Sequence, residues 1–134
     1  MVMLVVHRSE GRALRRLKKS MAKGGWTGFA VAAMRTHQEG RSVGVAVMVR
    51  SRLHAETLVF DNCVARERGR FIATSFRLRG QAITIASAYF FVGVGPQHIN
   101  LELLASIAAQ IDIWKQPFVL GGDWNMDEEA LSST

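Results

Sequence analysis

The run "SVGVAVMVR", residues 42–50, is the segment that most constrains how this chain can fold. Its apolar side chains stand at successive positions, whereas a strand with one face in water alternates apolar and polar residues. Both faces of this strand must therefore be covered by other elements. We expect an α/β protein in which residues 42–50 form an interior strand.

The same criteria predict further strands on both sides of this run. Two apolar stretches, residues 70–78 and 81–91, flank the turn dipeptide Arg79-Gly80 and indicate a hairpin. The other predicted strands are residues 1–6, 28–34, 56–62 and 118–122. One mixed sheet is expected to contain residues 42–50, 70–78, 81–91 and 118–122.

A long amphipathic helix is predicted over residues 98–114. Its apolar side chains recur at helical spacing and form one face, made of Ile99, Leu103, Ile107, Ile111 and Trp114. This face is expected to pack on the predicted sheet.

Length and composition indicate one domain, residues 1–134, with 49% hydrophobic residues and enough apolar material for a core. No apolar run is long enough to span a bilayer, so no membrane partner is expected. Cys63 is the single cysteine, which excludes an internal disulfide and fits a reducing compartment. We therefore expect an intracellular protein, nuclear or cytoplasmic.

The net charge of +6 is concentrated near the N-terminus, because the basic and acidic residues beyond residue 25 cancel. A basic helix is predicted over residues 9–23, with an apolar stripe formed by Leu14, Leu17 and Met21. Its cations would attract nucleic-acid phosphate, and those predicted to bind are Arg12, Arg15, Arg16, Lys18 and Lys19. A solvated surface helix is the alternative interpretation.

The stretch "FVLGGDWNM" places polar side chains at the tip of an apolar strand. Side chains alternate along an extended segment, so Asp123 and Asn125 point one way and Trp124 points the other way. A carboxylate can bind a metal or accept a proton, and an amide can orient a phosphate or a water molecule. An Asx turn that ends the strand is the alternative, since both residue types favour it.

The ordered set "GVAVMVR", "GRFIATSF", "ITIASAYF", a helix and "FVLGGDWNM" resembles the endonuclease/exonuclease/phosphatase superfamily over residues 26–127. These are metal-dependent phosphodiesterases that include apurinic endonucleases and the endonucleases of non-LTR retrotransposons. The resemblance implies an α/β fold that is a fragment of a two-sheet α/β sandwich, with a mixed β-sheet and flanking helices.

Within that family the matching site residues are Arg70, Tyr89, Asp123 and Asn125, with Trp124 in place of the usual Phe. The resemblance implies that Asp123 aligns or deprotonates the attacking water or contacts the metal. It implies that Asn125 holds Asp123 or a phosphate oxygen, and that Tyr89 donates to the phosphate. Arg70 is grouped with the nucleic-acid-binding residues, although a surface arginine before a strand is the interpretation that we favour. For Tyr89 the alternative is a strand-end aromatic whose hydroxyl lies in solvent.

The sequence departs from the family pattern at its metal site. Mg²⁺ is the cofactor that the family implies, but Val5-Val6 occupy the place of its Gln-Glu pair, and valine cannot ligate a hard cation. The family's late Asp and His are expected to be absent as well. We predict no metal ligand in this chain, and we expect a truncated domain that needs further chain or a partner to complete its fold.

Two functional hypotheses follow. The first is a phosphodiesterase or endonuclease-type domain acting on nucleic acid, DNA rather than RNA, that is incomplete and inactive as an isolated chain. The second is a non-catalytic mobile-element remnant that binds nucleic acid through the basic helix. A phosphatase-type member of the same superfamily shares these motifs and stays open.

Overall fold

The computed structural model describes the backbone of residues 2–7 and, with side chains, residues 11–31, 44–60, 63, 65, 69–93, 95–125 and 129. Within these residues the strands are β1 (Val2–His7), β2 (Trp26–Ala30), β3 (Gly44–Arg50), β4 (Glu56–Thr57), β5 (Phe71–Leu78), β6 (Gln81–Tyr89) and β7 (Phe118–Asp123). The helices are α1 (Gly11–Lys23) and α2 (His98–Trp114), and a 3-10 turn spans Ser51–Leu53.

The strands form two sheets, as expected for a two-sheet sandwich. The first sheet is antiparallel, in the order β1-β3-β2, and the second has the order β4-β5-β6-β7. Within the second sheet β6 and β7 are parallel while the other pairs are antiparallel, so this sheet is mixed. The predicted fold class is confirmed.

The prediction that residues 42–50 join the other strands in one sheet is wrong. β3 pairs with β1 and β2 instead, and it faces the second sheet across a shared core. An apolar pattern on both faces indicates that this strand is buried, but burial does not reveal which strands are its hydrogen-bonded neighbours. One face is covered by the other sheet rather than by a helix.

The core between the sheets is built from alternate side chains of the central strands. Val45, Val47 and Val49 of β3 pack with side chains of β5 and β6, namely Ile72, Phe76 and Ile85. The three valines are fully buried, with 0% of their surface exposed. This contact holds the two sheets face to face.

Helix α1 covers the outer side of the first sheet. Its Met21 is buried and lies against Gly28 of β2, where any side chain at position 28 would overlap the Met21 sulfur. Leu14 and Leu17 of the predicted stripe are half-buried. The predicted helix 9–23 is therefore observed from residue 11, and residues 9 and 10 lie outside the described residues.

Helix α2 has the bounds predicted for it and covers the outer face of the second sheet. Leu103, Ile107 and Ile111 are buried against side chains of β5 and β6 that include Phe71 and Ala86. Ile99 and Trp114 of the predicted stripe are half-buried. The prediction that this face packs on the sheet is confirmed.

The predicted hairpin is also confirmed. Arg79 and Gly80 have φ values of 52° and 81°, the positive values that a two-residue type I′ turn requires. This turn pairs Leu78 with Gln81 and thereby sets the register of β5 and β6.

Two other strand predictions differ from the structure. The strand predicted at 28–34 is β2, which starts at Trp26 and ends at Ala30, and residues 32–34 lie outside the described residues.

The strand predicted at 56–62 is only the two-residue β4. After β4 the chain leaves the sheet, because Val59 accepts a hydrogen bond from Trp114 Nε1 at 2.9 Å and the Phe60 ring packs edge-on against Trp114. Residues 61 and 62 lie outside the described residues.

None of the described helices has the length and apolar character needed to cross a membrane.

The sheet-to-sheet core can be tested by Val47→Ala. We expect this substitution to lower the free energy of unfolding by about 2 kcal/mol, because it removes buried methyl groups and leaves a cavity between the sheets. The measurement is urea denaturation followed by circular dichroism. Val59→Ala is the matched control, since Val59 is 78% exposed, and its effect should stay below about 0.5 kcal/mol. Equal effects would contradict the face-to-face arrangement.

Candidate functional site

Three residues that the family resemblance selected lie in one row across the second sheet. Tyr89 and Asp123 are register partners of the parallel strands β6 and β7. On the other side, the Tyr89 amide donates to the Arg70 carbonyl at 2.9 Å, which places Arg70 opposite Tyr89. Residues paired across strands share a face of the sheet. The row Arg70–Tyr89–Asp123 therefore lies on the face that looks toward the first sheet.

Tyr89 is half-buried at the end of this row. Its ring packs against the core between the sheets. Its hydroxyl makes no hydrogen bond within the described part of the chain, so it can donate to a ligand bound at this end of β6. The packed ring restricts where that hydroxyl can reach.

Arg70 is held by two aromatic rings. Its guanidinium carbon lies 3.5 Å from the ring centre of Phe91 and 5.2 Å from that of Tyr89. Its Nη1 also donates to the Tyr89 carbonyl at 3.3 Å. The sequence favours an ordinary surface arginine at this position, but the structure has a half-buried guanidinium fixed beside Tyr89. Such stacking fixes the orientation of a guanidinium.

The tip of β7 is fixed from both sides of the strand. Trp124 stacks on Phe90, with ring centres 5.0 Å apart and an interplanar angle of 12°. The Asn125 side chain is directed toward the end of β6, where its Nδ2 donates to the Phe90 carbonyl at 2.8 Å. The predicted inward packing of Trp124 is therefore observed, and Asn125 fastens β7 to the end of β6.

Asp123 and Asn125 form an Asx turn. The Asn125 amide donates to Asp123 Oδ1 at 3.2 Å, and Asn125 has a φ of 48°. The alternative interpretation of this pair is thus realised in the structure. It does not remove the carboxylate from the site, because Asp123 is exposed and Oδ2 makes no hydrogen bond among the described residues. The turn fixes one oxygen and leaves the other open.

Gly122 allows the close approach of β7 to β6 beneath this turn. Its φ is 137°, and a Cβ on this residue would overlap the backbone carbonyl of Ala88. The glycine of the sequence motif is therefore required by the backbone itself.

A buried amide that the sequence analysis does not select supports the loop after Tyr89. Asn100 of α2 accepts from the Phe91 amide at 2.8 Å and donates to the carbonyls of Phe91 and Gly95 at 3.1 and 2.8 Å. An asparagine inside the apolar face of the predicted helix is the signal for this role. It fixes Phe91, and so the ring beneath Arg70.

The residues of the row do not form a metal centre by themselves. Within the described residues, no three His, Cys, Asp or Glu side chains are close enough to hold a metal ion together. Asp123 is the one carboxylate in the row, and one of its oxygens already accepts a hydrogen bond. Mg²⁺ binds through one or two carboxylates together with waters and substrate phosphates. The side chains of the row itself are suited to anion binding by Arg70 and Tyr89 beside a carboxylate that can orient water.

The predicted basic residues of α1 form a separate group. Arg12, Arg16 and Lys19 are exposed and lie three or four residues apart, so they share one helix face, with Arg15 beside them. Lys18 is turned toward β2, where its Cγ lies near Gly28. Arg70 belongs to the row on the second sheet and not to this helix face.

The comparisons with known proteins agree on one architecture. No protein-family model and no curated protein sequence matches the chain. Among solved structures, ANGEL2, a 2',3'-cyclic phosphatase, superposes with a TM-score of 0.67 and 18% identity over 92% of this chain. The human Nocturnin catalytic domain gives 0.65 with 15% identity over 96%.

Two further structures show the same likeness. D. rerio TDP2 in complex with a single-strand DNA product gives a TM-score of 0.62, with 14% identity over 98% of this chain. The endonuclease domain of TRAS1, a telomere-specific non-LTR retrotransposon, gives 0.53 with 15% identity over 99%. The chain shares the fold of these four proteins, as the resemblance to the endonuclease/exonuclease/phosphatase superfamily led us to expect. The chain spans 39% of the ANGEL2 chain, 50% of TDP2 and 54% of Nocturnin.

Replacing Gly122 by alanine tests how β7 is seated against β6. Gly122→Ala should lower the free energy of unfolding by at least about 3 kcal/mol, because the new methyl group meets the Ala88 carbonyl and the strand must move. Gly80→Ala is the matched control. Gly80 also has a positive φ, of 81°, but a Cβ added there would have no atom within 4 Å, so only backbone strain of about 1 kcal/mol applies.

Chemical denaturation of both variants measures this difference. A Gly122→Ala variant no less stable than Gly80→Ala would mean that β7 does not approach β6 as described.

Proposed function

We propose that this chain is a phosphodiesterase-type domain of the endonuclease/exonuclease/phosphatase superfamily that binds nucleic acid and does not cleave it as an isolated chain. The observation that carries this proposal is the row Arg70–Tyr89–Asp123, completed by the Asx turn at Asn125. A cation, a phenol and a carboxylate in fixed register suit a phosphate group with a water molecule beside it.

The proposed roles follow from the contacts of each residue. Arg70, oriented on the Phe91 ring, supplies positive charge for the phosphate, and the Tyr89 hydroxyl donates to a phosphate oxygen. Asp123 aligns a water molecule through Oδ2. Asn125 is a positioning residue, because its side chain donates to the Phe90 carbonyl and its backbone N–H donates to the Asp123 carboxylate.

Nucleic acid is the proposed ligand, DNA rather than RNA. The support from the comparisons is that D. rerio TDP2 is seen with a single-strand DNA product and that TRAS1 contributes an endonuclease domain. ANGEL2 is a 2',3'-cyclic phosphatase, so a phosphatase-type activity on the same architecture is the second candidate. An intracellular location, nuclear or cytoplasmic, is part of the proposal.

Helix α1 is the element that we propose makes electrostatic contact with the nucleic-acid strand. It carries six basic residues and no acidic residue over Gly11–Lys23. Exposed cations on a helix release counterions when they meet phosphates, which makes binding strong at low salt and weak at high salt.

Cleavage is not expected from these residues alone. The family's chemistry uses a divalent ion, and when bound that ion neutralises charge that develops on the phosphate. Among the described residues Asp123 is the one carboxylate of the row, and Val6 stands where the family resemblance implies a second carboxylate ligand, so the ligand set for this ion is incomplete. The exposed apolar side chains of β7, Phe118 at 52% and Val119 at 55%, support the proposal that further polypeptide completes the domain.

A nuclease assay tests the catalytic half of this proposal. The purified chain, incubated with Mg²⁺ and single- or double-stranded DNA, should give no cleavage above a buffer blank, because Val6 stands where the family resemblance implies a carboxylate ligand and valine cannot bind a hard cation. Asp123→Ala is run beside it. Cleavage that this substitution abolishes would contradict the proposal, and cleavage that survives it would identify a contaminating nuclease.

The binding half is tested by the salt dependence of affinity for a single-stranded oligonucleotide. Neutralising Arg12, Arg16 and Lys19 together to Gln should reduce the slope of log affinity against log salt by about 2, since each phosphate contact contributes about 0.7. Glutamine keeps helix propensity, so the fold is preserved.

The matched control is Arg77→Gln, Arg79→Gln and Lys115→Gln, which removes the same charge from exposed positions away from α1. If the slope of log affinity against log salt fell equally in the two triple variants, net charge and not the basic face of α1 would be what attracts the oligonucleotide.

A further inference from the structure

A second basic surface lies where α1 ends, away from the row on the second sheet. A cleft of about 420 Å³ is lined by Gly25, Arg50, Ser51 and Arg52. Leu53, the next residue, lines a different cavity together with Phe76 and Arg77, which lie at the end of β5 opposite to Arg70. The cleft is therefore at the far end of the sandwich from the Arg70–Tyr89–Asp123 row.

One wall of the cleft is a guanidinium fixed in place. Arg50 lies over the Trp26 ring, with its Cζ 4.1 Å from the ring centre, and its Nη1 donates to the Gly24 carbonyl at 3.2 Å. Stacking and a backbone acceptor orient the group without neutralising it, because neither partner is an anion. An arginine held this way presents its remaining N–H groups at little entropic cost.

Hydroxyl groups and a second cation complete the cleft. Ser51 Oγ lies 3.1 Å from Thr27 Oγ1, so when Thr27 donates, the Ser51 proton is available to a ligand. Arg52 is exposed and makes no hydrogen bond or ion pair among the described residues. None of the lining residues is acidic.

We infer that this cleft binds a phosphate group. In a nucleic-acid complex it holds a backbone phosphate of the nucleic-acid strand that runs along the basic face of α1. Two guanidinium groups and a hydroxyl match the charge and the acceptor oxygens of a phosphodiester. Lys23 stands in the last turn of α1, directly before Gly24, so the cleft continues the basic face of the helix. The identity of the strand rests on the proposed function, whereas phosphate binding at the cleft does not.

The first test is a titration of the chain with inorganic pyrophosphate, in which binding is measured by amide chemical shifts in ¹H–¹⁵N spectra. Pyrophosphate should shift the amides of Gly25 and Ser51 and the indole N–H of Trp26. Arg52→Gln should weaken this binding about tenfold, because one charge-assisted hydrogen bond is lost. Arg79→Gln, which removes the same charge from the β5–β6 turn, should leave it unchanged. Unchanged shifts at Gly25 and Ser51, or equal effects of the two variants, would overturn the inference.

A second measurement separates the cleft from the proposed function. With a single-stranded oligonucleotide, Arg52→Gln should reduce the salt slope by about 0.7 and Arg79→Gln should not. Pyrophosphate bound at the cleft with no oligonucleotide bound anywhere would support the phosphate site and contradict the proposed function. Vesicles of phosphatidylserine that compete with pyrophosphate, where oligonucleotides do not, would overturn the assignment to a nucleic-acid strand.

Discussion

The parallel pairing of β6 with β7 determines whether the candidate site exists, because it aligns Tyr89 with Asp123. Parallel neighbours need a crossover connection, and α2 supplies it with a 17-residue helix packed on the sheet by Leu103, Ile107 and Ile111. Gly122 lets the strands approach at their tips, and Asn125 ties the end of β7 to Phe90. If β7 shifted by one residue, Asp123 would turn to the opposite face of the sheet.

Much of this arrangement can be predicted from local signals. The periodicity of residues 98–114 predicts the bounds of α2, and Arg79-Gly80 indicates the two-residue turn. That turn also carries a signal for the position of Arg70. It pairs Leu78 with Gln81, and counting back along both strands brings Arg70 opposite Tyr89. A turn of fixed length thus sets a register that reaches the site at the other end of the hairpin.

Other features depend on contacts between distant segments, and local patterns miss them or predict them wrongly. The apolar character of β3 indicates that both its faces are covered, which is equally true of a strand between two helices and of one between a sheet and a helix. The run after Glu56 has β-branched and aromatic residues but leaves the sheet because Phe60 and Val59 contact Trp114. The stacking of Arg70 on Phe91 depends on Asn100, which lies on another element.

Anion binding is the chemistry that we propose for the described residues of the site. Arg70 and Tyr89 can hold a phosphate, Asp123 keeps one oxygen open, and the cations of α1 lie on a separate element. The most direct test is an amide shift map of the chain titrated with a short single-stranded oligonucleotide. We expect shifts of the amides of Arg70, Tyr89, Asp123 and Asn125 that saturate together. Saturating binding that leaves these four amides unchanged would contradict it.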